Sequence, residues 1–494
     1  VLFVELNYLF HYTIYKFIMI VNQTNKDYWR KRDIVQIDGV LPKFIFGKRS
    51  IAEWYKEFYE QFPEEKYIGY FVGFRPTVLL KDLSDISAVL QGDFQSFYSR
   101  GIVTNPEDLL ADNLLFMNDY RRWKLIRQKL SPVFTHMKLK NMFYIMERCA
   151  RDFVQYMETN QQLRSKSFNA LYTYTTASTG ASVFGIDTQT QNTMESPFMD
   201  MAWKIFEPSF INNIKFAIGS CSPTLFRLLN LKTFADHEKF FVGVVKNVLE
   251  SRRQNKESRY DFIDTCLELQ QNGVMQDPTT GFEMESTDEI LAAQAFFFFI
   301  AGADPTATAI NFALMELSFN PSILKRLHEE IDSVFESGNG TLTYEDLDKL
   351  VYLEQVISES MRKYPPVGSI QRTCMKNTIL PSGLKVEENT VTIIPVFALH
   401  RDEKFFPNPE VFDPERFSAN NISNIVKFTN LPFGGGNRIC IGARFARLQM
   451  KAGLALLLRR FTLLQQKYKE PTFEPSFFAL RASKITYELV LRDS

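Results

Sequence analysis

The residues best suited to chemistry are Phe433-Gly434-Gly435-Gly436-Asn437-Arg438-Ile439-Cys440-Ile441-Gly442. One cysteine sits in a glycine-rich loop, with an arginine two residues before it and a glycine two after. Glycine takes φ > 0 without steric cost and lets backbone approach a flat ligand. The N–H groups of such a loop can turn toward a thiolate, and a cysteine held that way suits a metal better than a disulfide. Glycines alone would signal only a turn around a buried thiol. The register of Phe433, Arg438 and Cys440 is what makes the loop a candidate site. Glu359 and Arg362, three apart, share one helical face and can pair, although such a pair on a surface is worth little. Trp123 and Arg127, four apart, also share a face, and the same segment carries Arg121, Arg122, Lys124 and Lys129.

A long helix must dominate the fold. Ser286 and Glu289 have capping-box spacing, and Asp288 and Glu289 suit a positive helix N-terminus. Residues 290–317 are nearly all apolar and end before Asn320-Pro321. About 30 residues without an amphipathic stripe describe a helix buried on most sides. Pro305 lies inside it. Residues 347–364 read as a second helix, stopped by Pro365-Pro366. Residues 391–395 and 461–490 read as strands. The expected fold is mainly α with small β-sheets.

Bulk composition limits the alternatives. The chain has 494 residues, 45% hydrophobic and 23% charged, as globular proteins do. Length alone suggests roughly three domains, yet no linker-like stretch or internal repeat divides the chain. Lys+Arg and Asp+Glu both count 57, so overall charge argues for no nucleic-acid partner. The five cysteines are scattered and form no C-x-x-C pair, which fits a reducing compartment. The five histidines lack metal-ligand spacing, so zinc is not expected. Residues 1–21 are mostly apolar and long enough to span a bilayer, with Glu5, Asn7, His11 and Lys16 as interruptions. Lys26, Arg30, Lys31 and Arg32 follow, and clustered positive charge puts the next domain on the cytosolic side. The expected organisation is an anchor over 1–21, a linker over 22–47 and a single domain over 48–494. Val1, not methionine, opens the chain, so its true start is expected upstream.

The segment 433–442 resembles the haem-binding loop of the cytochrome P450 family, F-x-x-G-x-R-x-C-x-G, at every fixed position. Glu359-x-x-Arg362 and Pro414-Glu415-Arg416-Phe417 precede it in the family's order, and Trp123-x-x-x-Arg127 is similar to the family's W-x-x-x-R. The likeness runs over about residues 29–491. Phe94-Gln95-Ser96-Phe97-Tyr98-Ser99-Arg100-Gly101 and Lys129-Leu130-Ser131-Pro132-Val133-Phe134 look like insect microsomal members that metabolise xenobiotics and plant toxins. The resemblance implies a P450-type fold with the long helix over a haem b, and Cys440 as proximal thiolate on iron. It implies Arg127, Arg372 and Arg438 on the haem propionates, with Phe433 and Trp123 beside them. It implies a structural network of Glu359, Arg362 and Arg416. It also implies electrons from NADPH–cytochrome P450 reductase, with cytochrome b5 as a second donor, delivered to the basic cluster around Lys124 and Lys129. The enzyme would be a monooxygenase of the endoplasmic reticulum membrane, its catalytic domain on the cytosolic face.

Ala301-Gly302-Ala303-Asp304-Pro305-Thr306 resembles the family's A-G-x-[DE]-T-[TS], with one departure. By resemblance Gly302 leaves room for O2 and Asp304 helps deliver protons. Pro305 replaces the usual threonine, and Thr306 and Thr308 are the nearest hydroxyls. Proline donates no hydrogen bond, so leakage of reducing equivalents to peroxide is expected. Phe297 or Phe298, Val367 to Ser369, and Phe477-Phe478 match pocket-lining stretches and imply a lipophilic substrate. A second membrane contact is expected over 205–234. Two alternatives stay open: a haem-thiolate dehydratase or isomerase needing no O2, and a haem-containing lipophile-binding protein.

Overall fold

The computed structural model describes residues 27–40, 49–165, 167–185, 210–255, 258–338, 340–476, 479–484 and 487–492. The expected anchor over 1–21 lies outside them. The principal elements are α1 (Ile51–Gln61), β1 (Tyr67–Val72), β2 (Arg75–Leu80), α2 (Tyr120–Leu130), α3 (His136–Thr159), α4 (Ser167–Phe184), α5 (Phe210–Cys221) and α6 (Pro223–Leu228). They continue with α7 (Ala235–Asn255), α8 (Phe262–Gln271), α9 (Asp288–Phe319), α10 (Pro321–Ser337), α11 (Val351–Lys363), β3 (Ile370–Thr373), β4 (Val391–Ile394), α12 (Ala443–Arg460), β5 (Phe461–Leu463) and β6 (Leu489–Leu491). The mainly helical expectation holds.

α9 runs for 32 residues through the core and packs along α4, with α7, α11 and α12 around it. Its window of spanning length is 72% buried inside the protein, so this helix belongs to the core of the domain. The N-cap is Thr287, whose hydroxyl accepts from Ile290 N–H at 3.3 Å. This corrects the expected Ser286 box by one residue. The reason is competition: Glu289 pairs with Lys246 at 2.6 Å, and the Ser286 hydroxyl donates to the carbonyls of Leu269 and Gly273. Buried polar groups fix the helix along its length. Gln294 accepts from Leu114 N–H and donates to the Asp112 carbonyl, both at 2.9 Å. Glu316 takes Lys363 Nζ at 2.6 Å and the Tyr364 hydroxyl at 2.8 Å, tying α9 to α11.

The main sheet has the order β1-β2-β4-β3, with β2 and β4 parallel and the other pairs antiparallel. Arg372 on β3 stands opposite Thr392 on β4. The strands expected over 461–490 shrink to β5 and β6, joined through Thr462↔Val490. Pro471 and Pro475, which lack ladder donors, interrupt the stretch between.

The linker expected over 22–47 is corrected where it is described. Residues 27–40 lie against the domain: Trp29 is 2% exposed and its Nε1 donates to the Tyr70 carbonyl at 3.0 Å. Gly69 is required there, because a Cβ would fall 2.2 Å from the Trp29 ring. Two of the cations after the apolar N-terminus are ion-paired: Arg30 with Asp27 and Asp38, Arg32 with Glu387.

Candidate active site

The cysteine loop is set by two left-handed glycines. Gly434 and Gly436 have φ of 74° and 66°. At Gly436 a Cβ would lie 1.9 Å from the Leu90 carbonyl oxygen, so no side chain fits without backbone movement. Cys440 N–H donates to the Phe433 carbonyl at 2.9 Å, closing the loop. Cys440 is the one exposed cysteine of five. Its sulfur opens onto a recess deep enough that burial pushes the thiol up, while the Gly442 N–H and the guanidiniums of Arg127 and Arg100 pull it down.

Four arginines gather around this recess. Arg438 is 2% and Arg372 3% exposed. Arg438 stacks over Trp123 at 4.4 Å and donates from Nη2 to the Met117 carbonyl at 3.0 Å. Its Nε and Nη1, and the Nε of Arg372, are buried with no hydrogen-bond partner. Arg100 donates to the carbonyls of Leu115 and Arg438. Among the described residues no carboxylate pairs with Arg100, Arg127, Arg372 or Arg438. Burial, then the neighbouring arginines, pulls Arg438 down to about 7; burial and Arg100 pull Arg372 to about 9. Burial and Arg127 pull Arg100 to about 10. Like charges held from water need an anionic partner. The donors therefore fit a group that carries carboxylates on its rim and presents a metal to sulfur. Arg100 is marked in the sequence only as part of the stretch Phe94 to Gly101. Nothing local marks an arginine in a loop as facing inward.

α9 contributes a short polar stretch. Asp304 is 4% exposed and pairs with Arg481 at 2.5 Å. Burial raises its carboxyl, and Arg481 opposes that. Ala301 is exposed within an otherwise buried helix, and Pro305, one turn on, is half-buried. These two and Phe297 share a helical face. At Gly302 a Cβ would point at Thr179 on α4, 2.8 Å away, so the glycine also admits close helix packing. Thr306, 3% exposed, follows Gly302 by one turn and shares its side. The Thr308 hydroxyl is buried without a partner. Of Phe297 and Phe298, the second is the one committed to packing: it lies edge-on against Phe134 at 5.3 Å and Phe262 at 5.0 Å. Val367 is 43% exposed and bridges Ala479. Phe477 lies outside the described residues. A charged cleft of about 790 Å³, lined by Arg49, Glu53, Glu410 and Glu470 among others, contains none of these groups.

The expected network is present. Arg362 Nε and Nη2 donate to the two Glu359 oxygens at 2.6 and 2.8 Å, and Arg416 Nε approaches Glu359 at 3.5 Å. His400 extends it to the cysteine loop. Its Nδ1 meets the Arg362 carbonyl at 2.9 Å, and its Nε2 accepts Leu431 N–H at 2.7 Å. Burial holds this imidazole neutral, down to about 3. The sequence offered no signal for that link beyond a histidine among residues of family likeness.

A helical domain that gathers four arginines without carboxylates beside one accessible cysteine is built to hold a flat, anionic, metal-bearing group. The description "Cytochrome P450" is that of the family model matching residues 39–489. Cytochrome P450 6k1 of Blattella germanica is 33% identical over 458 residues, covering 88% of this chain and 86% of the relative. Cytochrome P450 6B2 of Helicoverpa armigera is 33% identical over 453 residues, 89% of each. Cytochrome P450 9e2 of Blattella germanica is 33% identical over 477 residues, 90% of this chain and 89% of the relative. The chain belongs to the cytochrome P450 family. It is thus an enzyme of the haem-thiolate monooxygenase class, with haem as cofactor and an external source of electrons.

Proposed function

We propose that this enzyme inserts one atom of O2 into lipophilic foreign compounds, such as plant toxins, at a haem held by Cys440. The observation that carries the site is that Arg100, Arg127, Arg372 and Arg438, the last two buried, have no carboxylate partner among the described residues and lie around the exposed Cys440. Cys440 is the iron ligand; Arg100, Arg127, Arg372 and Arg438 hold the two propionates; Trp123 and Phe433 pack beside them. Haem bound there supplies the activation of O2, which thiolate donation favours by promoting O–O cleavage. Asp304 delivers protons from its buried position. Pro305 removes the hydroxyl that would otherwise serve that step, and by lacking an N–H leaves the Ala301 carbonyl without its helical donor. That carbonyl and the unpartnered Thr308 hydroxyl are the polar groups left to hold a proton-carrying water. Phe297 and Val367 line the substrate side, and an apolar substrate suits them. The insect relatives support the substrate class.

Electrons come from NADPH through a reductase docked on the cysteine side, with cytochrome b5 as an alternative donor. The docking cluster is smaller than the sequence suggested. Lys124 is committed to Asp277 at 2.9 Å and Arg122 to Asp112 at 2.5 Å. Lys129 makes no ion pair among the described residues, and Arg444 is exposed four residues after Cys440. These two carry the proposal. The enzyme sits on the endoplasmic reticulum membrane, anchored through residues 1–21, its catalytic domain in the cytosol. Exposed Leu225, Leu228 and Leu229 near α6, beside Phe74 on the β1–β2 turn, support a second membrane contact.

The test is NADPH-dependent uptake of labelled O2 in membranes holding the enzyme and its reductase, with a panel of lipophiles present. Label in product is expected. Substrate loss without label would replace the proposal by a rearrangement, and neither uptake nor loss by a binding protein.

A further inference from the structure

Three elements meet at Asp304. α9 supplies the carboxylate. α4 supplies Tyr172, whose phenol is raised by burial and then by the charge of Asp304. The C-terminal segment supplies Arg481, whose guanidinium lies 2.5 Å from Asp304 and 6.0 Å from the ring of Phe168 on α4. Arg481 and Tyr172 are the titratable or charged groups that face the acid from those elements.

The origin of Arg481 gives the pair its meaning. Just before it, Ala479 bridges Val367, and Leu480 N–H donates to the Pro366 carbonyl at 2.9 Å. Residues 479–481 are therefore tied on one side to the stretch assigned to the substrate wall and on the other to the acid of α9. A carboxylate this deep, left without a cation, favours its neutral form. A guanidinium in direct contact opposes that and fixes the direction in which the carboxylate points.

We propose that Arg481 is a positioning residue for Asp304: it fixes the acid's orientation and links it to the substrate wall at 366–367. The proposal rests on the reading that Asp304 delivers protons. Its contribution comes from outside α9, which is why the helix motif gave no sign of it.

Two readouts on the haem-loaded enzyme test it. The first is the infrared carbonyl stretch of a protonated carboxylic acid, recorded without turnover. In the unmodified enzyme at neutral pH no such band should belong to Asp304. Arg481→Met should create one, and adding Asp304→Asn should remove it. The second is the pH profile of turnover. Arg481→Met should lower kcat by about tenfold, less than the 10²–10⁴ typical of losing an acid–base group, with KM little changed. Its dependence on an ionised Asp304 should move to higher pH, because loss of the cation raises the acid. Arg481→Lys should restore both readouts. A band from Asp304 in the unmodified enzyme would overturn the proposal even if Arg481→Met failed to fold. So would an unmoved profile in Arg481→Met, or no rescue by lysine. If Asp304→Asn itself left turnover and its pH profile unchanged, the reading of Asp304 would fall, and the infrared result would still show whether Arg481 holds it.

Discussion

Glu359→Gln keeps the shape of the side chain and removes its charge. Glu359 and Arg362 are both 0% exposed. One carboxylate serves three donors, Arg362 Nε at 2.6 Å, Arg362 Nη2 at 2.8 Å and Asp413 N–H at 2.9 Å, and is ion-paired with Arg416 at 3.5 Å. Burial pushes this carboxyl up and Arg362 pulls it back, so the pair is held by balance. After the substitution Arg362 stays in the core with neutral partners, the His400 and Pro409 carbonyls at 2.7 Å and the Val411 carbonyl at 3.4 Å. Breaking a buried pair by removing one partner costs roughly 3–5 kcal/mol, against about 0–1 kcal/mol for an exposed one. That is on the order of 10²–10³ or more in the folding equilibrium. The assay is the denaturant midpoint of the haem-loaded protein, followed by the thiolate-type carbon monoxide spectrum and by helical circular dichroism. The spectrum should fail at lower denaturant than the helices, because the network reaches the cysteine loop through His400 and Leu431. Replacing the pair together, by Glu359→Gln with Arg362→Met, should be milder than the single change, since no unpaired charge remains. A single-variant cost below about 1 kcal/mol would refute the reasoning, because it would mean the pair behaves as a solvated surface pair.

Gly436→Ala should strip most haem from an otherwise folded protein, since the new methyl meets the Leu90 carbonyl oxygen and φ is 66°; full haem occupancy by absorbance would contradict this. Pro305→Thr should raise product formed per NADPH consumed; an unchanged or lower ratio would mark the proline as neutral or adaptive. His400 is held neutral to about 3 against an ordinary 6.5, so the unfolded chain binds its proton first. The stability this group gives is therefore present above about pH 6.5 and lost as pH falls toward 3. His400→Gln should flatten that part of the midpoint-versus-pH curve. Lys129→Glu should slow reduction by the reductase and weaken its salt dependence, whereas Lys124→Glu should chiefly cost stability by facing Asp277; equal reduction rates in the Lys129 variant would remove the docking surface.

What could be read from the chain was whatever its chemistry confines to a short stretch. The Phe433–Arg438–Cys440 register, the i, i+3 spacing of Glu359 and Arg362 and the apolar run of α9 are all local, and each appears in the fold. What could not be read depends on partners far apart in sequence. Arg481 finds Asp304, and Arg100 turns toward Arg438, only once the chain is folded. His400 takes its role from two backbone groups that no residue pattern announces. The packing role of Gly302 was not legible either, because a glycine on a helix shows no direction in sequence and its neighbour Thr179 appears only in the fold. The N-cap moved by one residue because Ser286 and Glu289 found competing partners.

Cys440, within the arginine-lined recess, is the proposed ligand of iron. The direct measurement is the carbon monoxide spectrum of the reduced, haem-loaded protein, compared with Cys440→Ser. A thiolate-type band lost in the variant, with the other four cysteines intact, is the predicted result. A thiolate-type band that survives Cys440→Ser, or an imidazole-type band in the unmodified protein, would contradict it.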